Sequence, residues 1–281
     1  MKTLAYYNGE ITEIADMRIP LNDRAMYYGD GVYDASFAHN HVIWALEDHI
    51  ERFYNSAALL DIVIPMSKEE LSQLLKDLVA KVESPEQFVY WSVTRGTAPR
   101  KHEYPEGVKA NLIVTLTPTG KPDTYQKLKL ISYEDHRFEY CNIKTLNLIP
   151  SVLAAEAARK AGCDEVIFHR GDIVTECAHS NCHIIKDGKL LTHPADHHIL
   201  PGIGRAHLIK AAKAIGMAVD ETFYTMDDLR NADEVLVTAS SRFCLQAVEL
   251  DGKPVGGKAP ELVKKLQEYR INAVEEECKA Q

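Results

Sequence analysis

The sequence predicts an α+β chain of two domains, and three observations carry that prediction. Turn-flanked alternations of apolar and polar residues, the mark of hairpins, occur in both halves. Between them lie stretches with apolar residues at helical spacing, without the regular strand–helix–strand alternation of a parallel α/β fold. Residues 117–127, TPTGKPDTYQK, hold two prolines, one glycine and few apolar side chains, and read as a linker. We therefore expect a smaller N-terminal α/β domain over residues 1–118, a linker over 119–126, and a larger C-terminal domain, rich in antiparallel strands, over 127–281. A chain of 281 residues is long enough to give each domain its own core.

Taken in order, TLAYYNGEITEI reads as a hairpin turning at Asn8-Gly9, and GVYDASFAHNHVIWAL as a second alternation turning at His39-Asn40. LEDHIERFYNSAALL places Leu46, Ile50, Phe53, Ala57 and Leu60 on one helical face. Ser67 and Glu70 have capping-box spacing ahead of the helix KEELSQLLKDLVAKV. QFVYWSVTRG and ANLIVTLTP read as strands joined by the polar loop TAPRKHEYPEGVK. Beyond the linker, KLKLISYED is a strand, and PSVLAAEAARKAG is a helix with Pro150 near its start and Gly162 at its end. DEVIFHRGDIVTE and IIKDGKLLTH are hairpins, turning at residues 170–172 and 187–188. LPGIGRAHLIKAAKAIG runs from a glycine turn into a helix, DEVLVTASS is a strand ending in hydroxyls, and KAPELVKKLQEYRINAVEEE is a terminal helix.

Composition excludes several classes of partner. The chain is 46% hydrophobic and 26% charged, as ordinary globular proteins are. A net charge of −9 and the lack of any Lys/Arg block of five or more argue against nucleic acid. No apolar run reaches membrane-spanning length, and the first residues lack a secretory apolar region. Six scattered cysteines suit a reducing compartment, so a cytoplasmic protein is expected.

Chemistry has several candidate seats. Lys144, in CNIKTLNLIP, sits among aliphatic residues; desolvation would favour its neutral amine and carbonyl chemistry, while a strand lysine that snorkels to solvent is the plain alternative. The glycines of LPGIGR precede a helix whose first amides could hold a phosphate, and Thr238, Ser240 and Ser241 could add ligands or simply finish a strand. Arg100 and His102 stand two apart in a polar loop. Within TECAHSNCHII, Cys177, His179, Cys182 and His183 crowd into seven residues. Structural zinc sites draw on two separated pairs of ligands. Four donors in one turn cannot surround one ion, so at most two could ligate, with help from His193, His197 or His198. No metal site is expected.

Over nearly its whole length the chain resembles the class IV (fold-type IV) pyridoxal-phosphate aminotransferases, in particular the D-amino-acid branch. The stretches that carry this are YYGDGVYDASF, LEDHIERFYNSA, VTRGTAPRKH, IKTLNLIPSVLAAEAARKAGCDEVIFHRGDIVTE, IIKDGKLLTHPADHHILPGIGR, DEVLVT and VELDGK. The resemblance implies pyridoxal 5'-phosphate as cofactor. Lys144 would be the lysine that bonds it and moves the α-proton, and Glu176 the carboxylate paired with its ring nitrogen. Arg52, Ile203, Gly204 and Ser240 match phosphate-binding positions; His49, one turn before Arg52, reads as structural. Tyr33, Arg100 and His102 match the set that holds the substrate α-carboxylate, with the Arg-x-His loop supplied by a second subunit of a homodimer. The implied reaction is ping-pong transamination of D-amino acids such as D-alanine with 2-oxoglutarate or pyruvate. L-branched-chain transamination and aminodeoxychorismate cleavage are the alternatives within the class.

Departures from the family pattern cluster in two places. Where the family reads E-G-S-x-S-N, this chain reads E-C-A-H-S-N, so that Cys177 replaces a glycine and His179 a small serine. Arg242 stands where a small polar residue is usual, and Phe37 where a longer polar one is common. These positions bear on side-chain specificity, and His179 is expected to distinguish this pocket from its relatives.

Overall fold

The computed structural model describes residues 1–279, which contacts divide into two units. The first holds Met1–Lys121, Ile143–Asn147 and the described residues from Glu275 onward; the second holds Pro122–Asn142 and Leu148–Val274.

The first unit contains β1 (Leu4–Tyr7), β2 (Glu10–Thr12), α1 (Arg24–Tyr28), β3 (Gly31–His39), β4 (Val42–Ile43), α2 (Leu46–Ala58), α3 (Lys68–Val79), β5 (Gln87–Thr94) and β6 (Asn111–Pro118). Its six strands form one sheet in the order β2-β1-β6-β5-β3-β4, antiparallel throughout. The β1–β2 turn uses Asn8 (φ 46°) and Gly9 (φ 103°), as their pairing predicts. The β3–β4 turn lies one residue later than the alternation suggests, because Asn40 and His41 take the positive φ values. Leu46, Ile50, Phe53 and Ala57 of α2 are buried on one face. They meet Leu71, Leu75 and Leu78 of α3 and Val89, Trp91 and Val93 of β5 in a single core. The capping box before α3 forms in both directions, between Ser67 and Glu70.

The second unit contains β7 (Lys127–Glu134), α4 (Ile149–Lys160), β8 (Glu165–Arg170), β9 (Ile173–Val174), β10 (Asn181–Lys186), β11 (Lys189–Thr192), α5 (Ile203–Ala214), β12 (Ala218–Glu221), α6 (Met226–Asn231), β13 (Glu234–Thr238), β14 (Leu245–Leu250), β15 (Lys253–Pro254) and most of α7 (Pro260–Glu277). The sheet order is β12-β11-β10-β13-β14-β7-β8-β9, with β15 on β14. Antiparallel pairs predominate, but β7–β8, β7–β14 and β11–β12 are parallel. The alternation of hairpins hid those pairs, since parallel neighbours are far apart in sequence or joined through a helix, as β7 and β8 are through α4. Strand period sorts the core. Cys182, Ile184, Val235 and Val237 face one side, with Met226 and Leu229 of α6. Ile185 and Leu236 face the other, with Leu208, Ala211, Val263 and Leu266 of α5 and α7. No helix among the described residues is long and apolar enough to cross a membrane.

Within the first unit, the segment Ile143–Asn147 pairs with the start of β3. The Tyr33 amide donates to the Lys144 carbonyl at 2.9 Å, and the Leu146 amide to the Gly31 carbonyl at 3.1 Å. Gly31 is required for this approach: a Cβ there would lie 2.5 Å from the Val93 carbonyl oxygen and 2.8 Å from Leu146 Cδ1. Gly31→Ala should therefore cost about 1–3 kcal/mol of stability, the range for overpacking a tight site. Urea unfolding of parent and variant would measure it.

Candidate active site

Lys144 leaves this segment half-buried, its Nζ 4.4 Å from the centroid of the Tyr33 ring. Tyr33 in turn stacks on Tyr90 with ring centroids 5.3 Å apart. The Lys144 amide donates to Ser56 Oγ on α2 at 3.3 Å, so helix and strand both fix the lysine's backbone. The same unit thus brings Tyr33 and Lys144 together.

Beneath them is a buried charge cluster. Asp34 is fully buried on β3, and α2 delivers two partners three residues apart, His49 and Arg52. Arg52 donates to both Asp34 oxygens, Nε at 2.9 Å and Nη2 at 2.7 Å. His49 Nδ1 lies 2.7 Å from Asp34 Oδ1, its ring edge-on to Trp44 and Trp91. Burial alone would raise the Asp34 carboxyl, but the Arg52 and His49 contacts outweigh it and hold it well below the usual range. Burial lowers His49, against the pull of the Asp34 carboxylate beside it. Arg52, expected at a phosphate, thus has two of its nitrogens on Asp34.

Arg100 and His102 are exposed on the loop between β5 and β6, which has no regular structure. Both lie on the ring of Tyr28: the Arg100 guanidinium carbon is 5.5 Å and the His102 ring 5.2 Å from its centroid. Guanidinium and imidazole thus share one aromatic neighbour, and both can donate to an anion.

In the second unit Glu176 is buried and ringed by donors. Arg137 Nη1 donates to Oε1, while Asn181 Nδ2 (2.9 Å) and the Leu200 amide (3.1 Å) donate to Oε2. Burial pushes the carboxyl up to about 7, with Arg137 and then the Leu200 amide restraining a larger shift. A carboxyl poised there would be held ionised by a cationic N–H placed against it.

Helix α5 begins at Gly202 without a side-chain cap, so its first-turn amides offer an anion site. Gly202 packs directly against the Asn181 side chain, and a Cβ at Gly204 would lie 2.9 Å from the Ala239 carbonyl oxygen. The helix start is therefore seated backbone to backbone against the residue preceding Ser240. Asn181 and Thr238 are paired in register, so the loops after Glu176 and around Ser240 emerge at one end of β10 and β13. This cradle, a donor-ringed carboxylate and an uncapped helix start in one unit, fits a phosphorylated pyridine.

The CAHSNCH cluster disperses. His183 is fully buried between the Thr192 and Thr238 hydroxyls, each at 2.8 Å, and burial lowers its pKa to about 3. Cys177 and Cys182 are buried free thiols. His179 turns its Nδ1 to the buried Glu165 at 2.9 Å, and Arg242 reaches the same carboxylate at 3.5 Å. Glu165 also accepts from the Ala178 amide (3.3 Å) and Ser180 Oγ (3.2 Å). Two departures from the family pattern thus converge on one carboxylate that braces the loop beside Glu176. Among the described residues, Glu139, His197 and His198 could share a metal, with donor atoms within 4.8 Å of one another. The guanidinium of Arg170 lies 3.7 Å from that Glu139 carboxylate.

Sequence reasoning missed Asp34, Arg137 and Glu165. Asp34 carried a signal, a carboxylate between Val32 and Ser36 on the inward face of an alternation. Arg137, in the polar run YEDHRFEY, carried none. Asp34→Asn would leave the buried Arg52 charge without its carboxylate and should cost about 3–5 kcal/mol at neutral pH. Because Asp34 is depressed in the fold, its contribution is present above the unfolded carboxylate pKa, about 4, and is lost as pH falls through the folded value. The gap between parent and variant in urea unfolding should therefore narrow in acid.

Residues 31–250 match the family model of class IV amino-transferases. The chain is 38% identical to a D-alanine aminotransferase of Listeria monocytogenes serotype 4b (strain F2365), over 99% of this chain and 98% of that one. It is 34% identical to the D-alanine aminotransferase of Bacillus licheniformis, over 98% and 97%. Among solved structures it is similar to the T.th. branched-chain amino acid aminotransferase complexed with N-(5'-phosphopyridoxyl)-L-glutamate, with a TM-score of 0.90, 25% identity, and 98% and 94% of the two chains covered. The Escherichia coli branched-chain enzyme, 23% identical at a TM-score of 0.90 over 100% and 97% of the two chains, shares the fold. Family match and cradle agree, and the chain belongs to the class IV aminotransferases, enzymes that work with pyridoxal 5'-phosphate.

Proposed function

We propose that this protein transaminates D-amino acids, D-alanine among them, with 2-oxoglutarate or pyruvate as acceptor. The observation that carries this reading is that Arg100 and His102 both pack on the Tyr28 ring, two donors from one loop suited to an α-carboxylate. The names of its relatives support it.

Pyridoxal 5'-phosphate, when bound, supplies an aldehyde that accepts and returns an amino group and a cationic ring that draws electrons from the α-carbon. Lys144 takes the proton from the substrate's α-carbon on its Nζ and returns it, with the Tyr33 ring beside it. Glu176 would hold the pyridine nitrogen, its charge steadied by Arg137, Asn181 and Leu200. The first amides of α5, at Ile203 and Gly204, together with Ser240 and the Arg52 guanidinium, would hold the phosphate. Tyr33, Arg100 and His102 fix the α-carboxylate, and so decide which face of the α-carbon meets the lysine.

The working form on this reading is a cytoplasmic homodimer. An uncovered apolar stripe on α4 supports dimerisation: Ile149, Val152 and Leu153, at helical spacing, are 70%, 57% and 60% exposed. Domains over 1–118 and 127–281, joined by 119–126, complete the reading, with Ile143–Asn147 and the described residues from Glu275 onward grouped with the first.

A panel of D- and L-amino acids with 2-oxoglutarate tests the substrate. Turnover of D-alanine with none of L-leucine is expected; rapid L-leucine turnover without D-alanine would overturn the proposal in favour of the branched-chain reading. Lys144→Ala should abolish turnover and the visible absorbance of bound cofactor, and full activity in that variant would remove Lys144 from its role.

A further inference from the structure

The loop that carries Arg100 and His102 is exposed and irregular, so something must fix its shape if it is to grip a small anion. Ordering a free loop costs about 1–2 kcal/mol per residue, which exposed side chains do not repay. One buried side chain does the holding. Arg24, at the first position of α1, is 3% exposed. It donates to three successive loop carbonyls: Nη1 to Lys101 (2.5 Å) and Glu103 (3.3 Å), and Nη2 to His102 (3.2 Å). Its Nε pairs with Asp30 at 2.7 Å.

The donor end is itself anchored. Asp30 also accepts from Arg95 Nε (2.9 and 3.0 Å), and the Arg24 amide donates to the Gly96 carbonyl at 2.9 Å. Asp23, the cap of α1, accepts from Thr94 Oγ1 and Asn111 Nδ2 at 2.8 and 2.7 Å. These ties run to the facing ends of β5 and β6, the two strands the loop connects. Further along, Tyr104 lies against the Arg95 guanidinium at 3.5 Å, so one Arg24–Asp30–Arg95 cluster meets the loop at two points. The three carbonyls belong to residues 101–103, and the side chains of Arg100 and His102 both arrive on the same Tyr28 ring.

We infer that Arg24 is a positioning residue for substrate binding, setting Arg100 and His102 through the backbone of residues 101–103 so that together they grip the substrate α-carboxylate. The inference rests on the carboxylate role proposed above for that pair. Arg24 does not itself touch substrate. A lysine could keep the charge beside Asp30, but it lacks the planar fork that reaches three carbonyls at once.

The test is Arg24→Lys in the holoenzyme, with D-alanine and 2-oxoglutarate. KM for D-alanine should rise on the order of tenfold with kcat little changed, since a misplaced clamp weakens ground state and transition state alike. Backbone amides over residues 100–104 should exchange hydrogen faster while cofactor absorbance is kept. In an Arg100→Ala/His102→Ala background, Arg24→Lys should add no further rise, because its effect passes through those side chains. A rise of equal size in that background, or unchanged KM and exchange in Arg24→Lys alone, would overturn the inference. If the double alanine variant itself leaves KM unchanged, the carboxylate reading falls and this inference with it. If it raises KM while Arg24→Lys is silent, only the role of Arg24 falls.

Discussion

Two backbone hydrogen bonds between β3 and the segment Ile143–Asn147 decide where Lys144 stands. They take five residues that follow the linker and β7 and seat them on the first unit, against a strand more than a hundred positions earlier. The approach is close enough to demand glycine at position 31. Everything proposed for the lysine follows from that seat: Tyr33 beside its amine, Ser56 on its backbone, and the Asp34 cluster behind it. Placing the lysine on an element paired at its backbone, rather than on a free loop, gives the amine proposed to react a defined position.

Around this seat the protein uses one device repeatedly, the buried carboxylate surrounded by donors. Asp34 joins β3 to α2 and Glu165 braces the loop after Glu176, while the partly buried Asp30 ties α1 to the end of β5 in the same way. Each is costly alone in a low-dielectric interior and stable only when fully partnered, so each fixes the geometry of its partners. Glu176 differs, because burial brings its carboxyl near neutrality despite Arg137. That is the behaviour of a group waiting for one more positive neighbour, and a protonated pyridine nitrogen is such a neighbour.

The cysteine–histidine cluster shows how misleading proximity in sequence can be. On a strand, neighbours point to opposite faces, so Cys182 and His183 part at once, the first into one core layer and the second between two threonines. His179 follows a different logic. Its ring is on Glu165 together with Arg242, so the unusual residues of two loops act as one ionic brace beside the cofactor cradle. His179, in the loop that follows Glu176 and expected to mark this pocket off from its relatives, lies against Glu165.

The sequence by itself determined the local structure, because local structure is written in short-range patterns. The hairpin turns, that between β3 and β4 to within one residue, the capped helix at Ser67, the buried face of α2 and the class IV motifs were legible from residues a few positions apart. The motifs also put Lys144, Glu176, Arg100 and His102 forward as candidates, since family motifs are carried in contiguous words. Only the tertiary structure decided the parallel pairing of β7 with β8 and β14, the return of Ile143–Asn147 to the first unit, and the partners Asp34, Arg137, Glu165 and Arg24. The physical reason is the same in each case. A parallel neighbour, or the cation that neutralises a buried carboxylate, is chosen by proximity in space, and a charged residue in a polar stretch looks the same whether it ends in water or in a core.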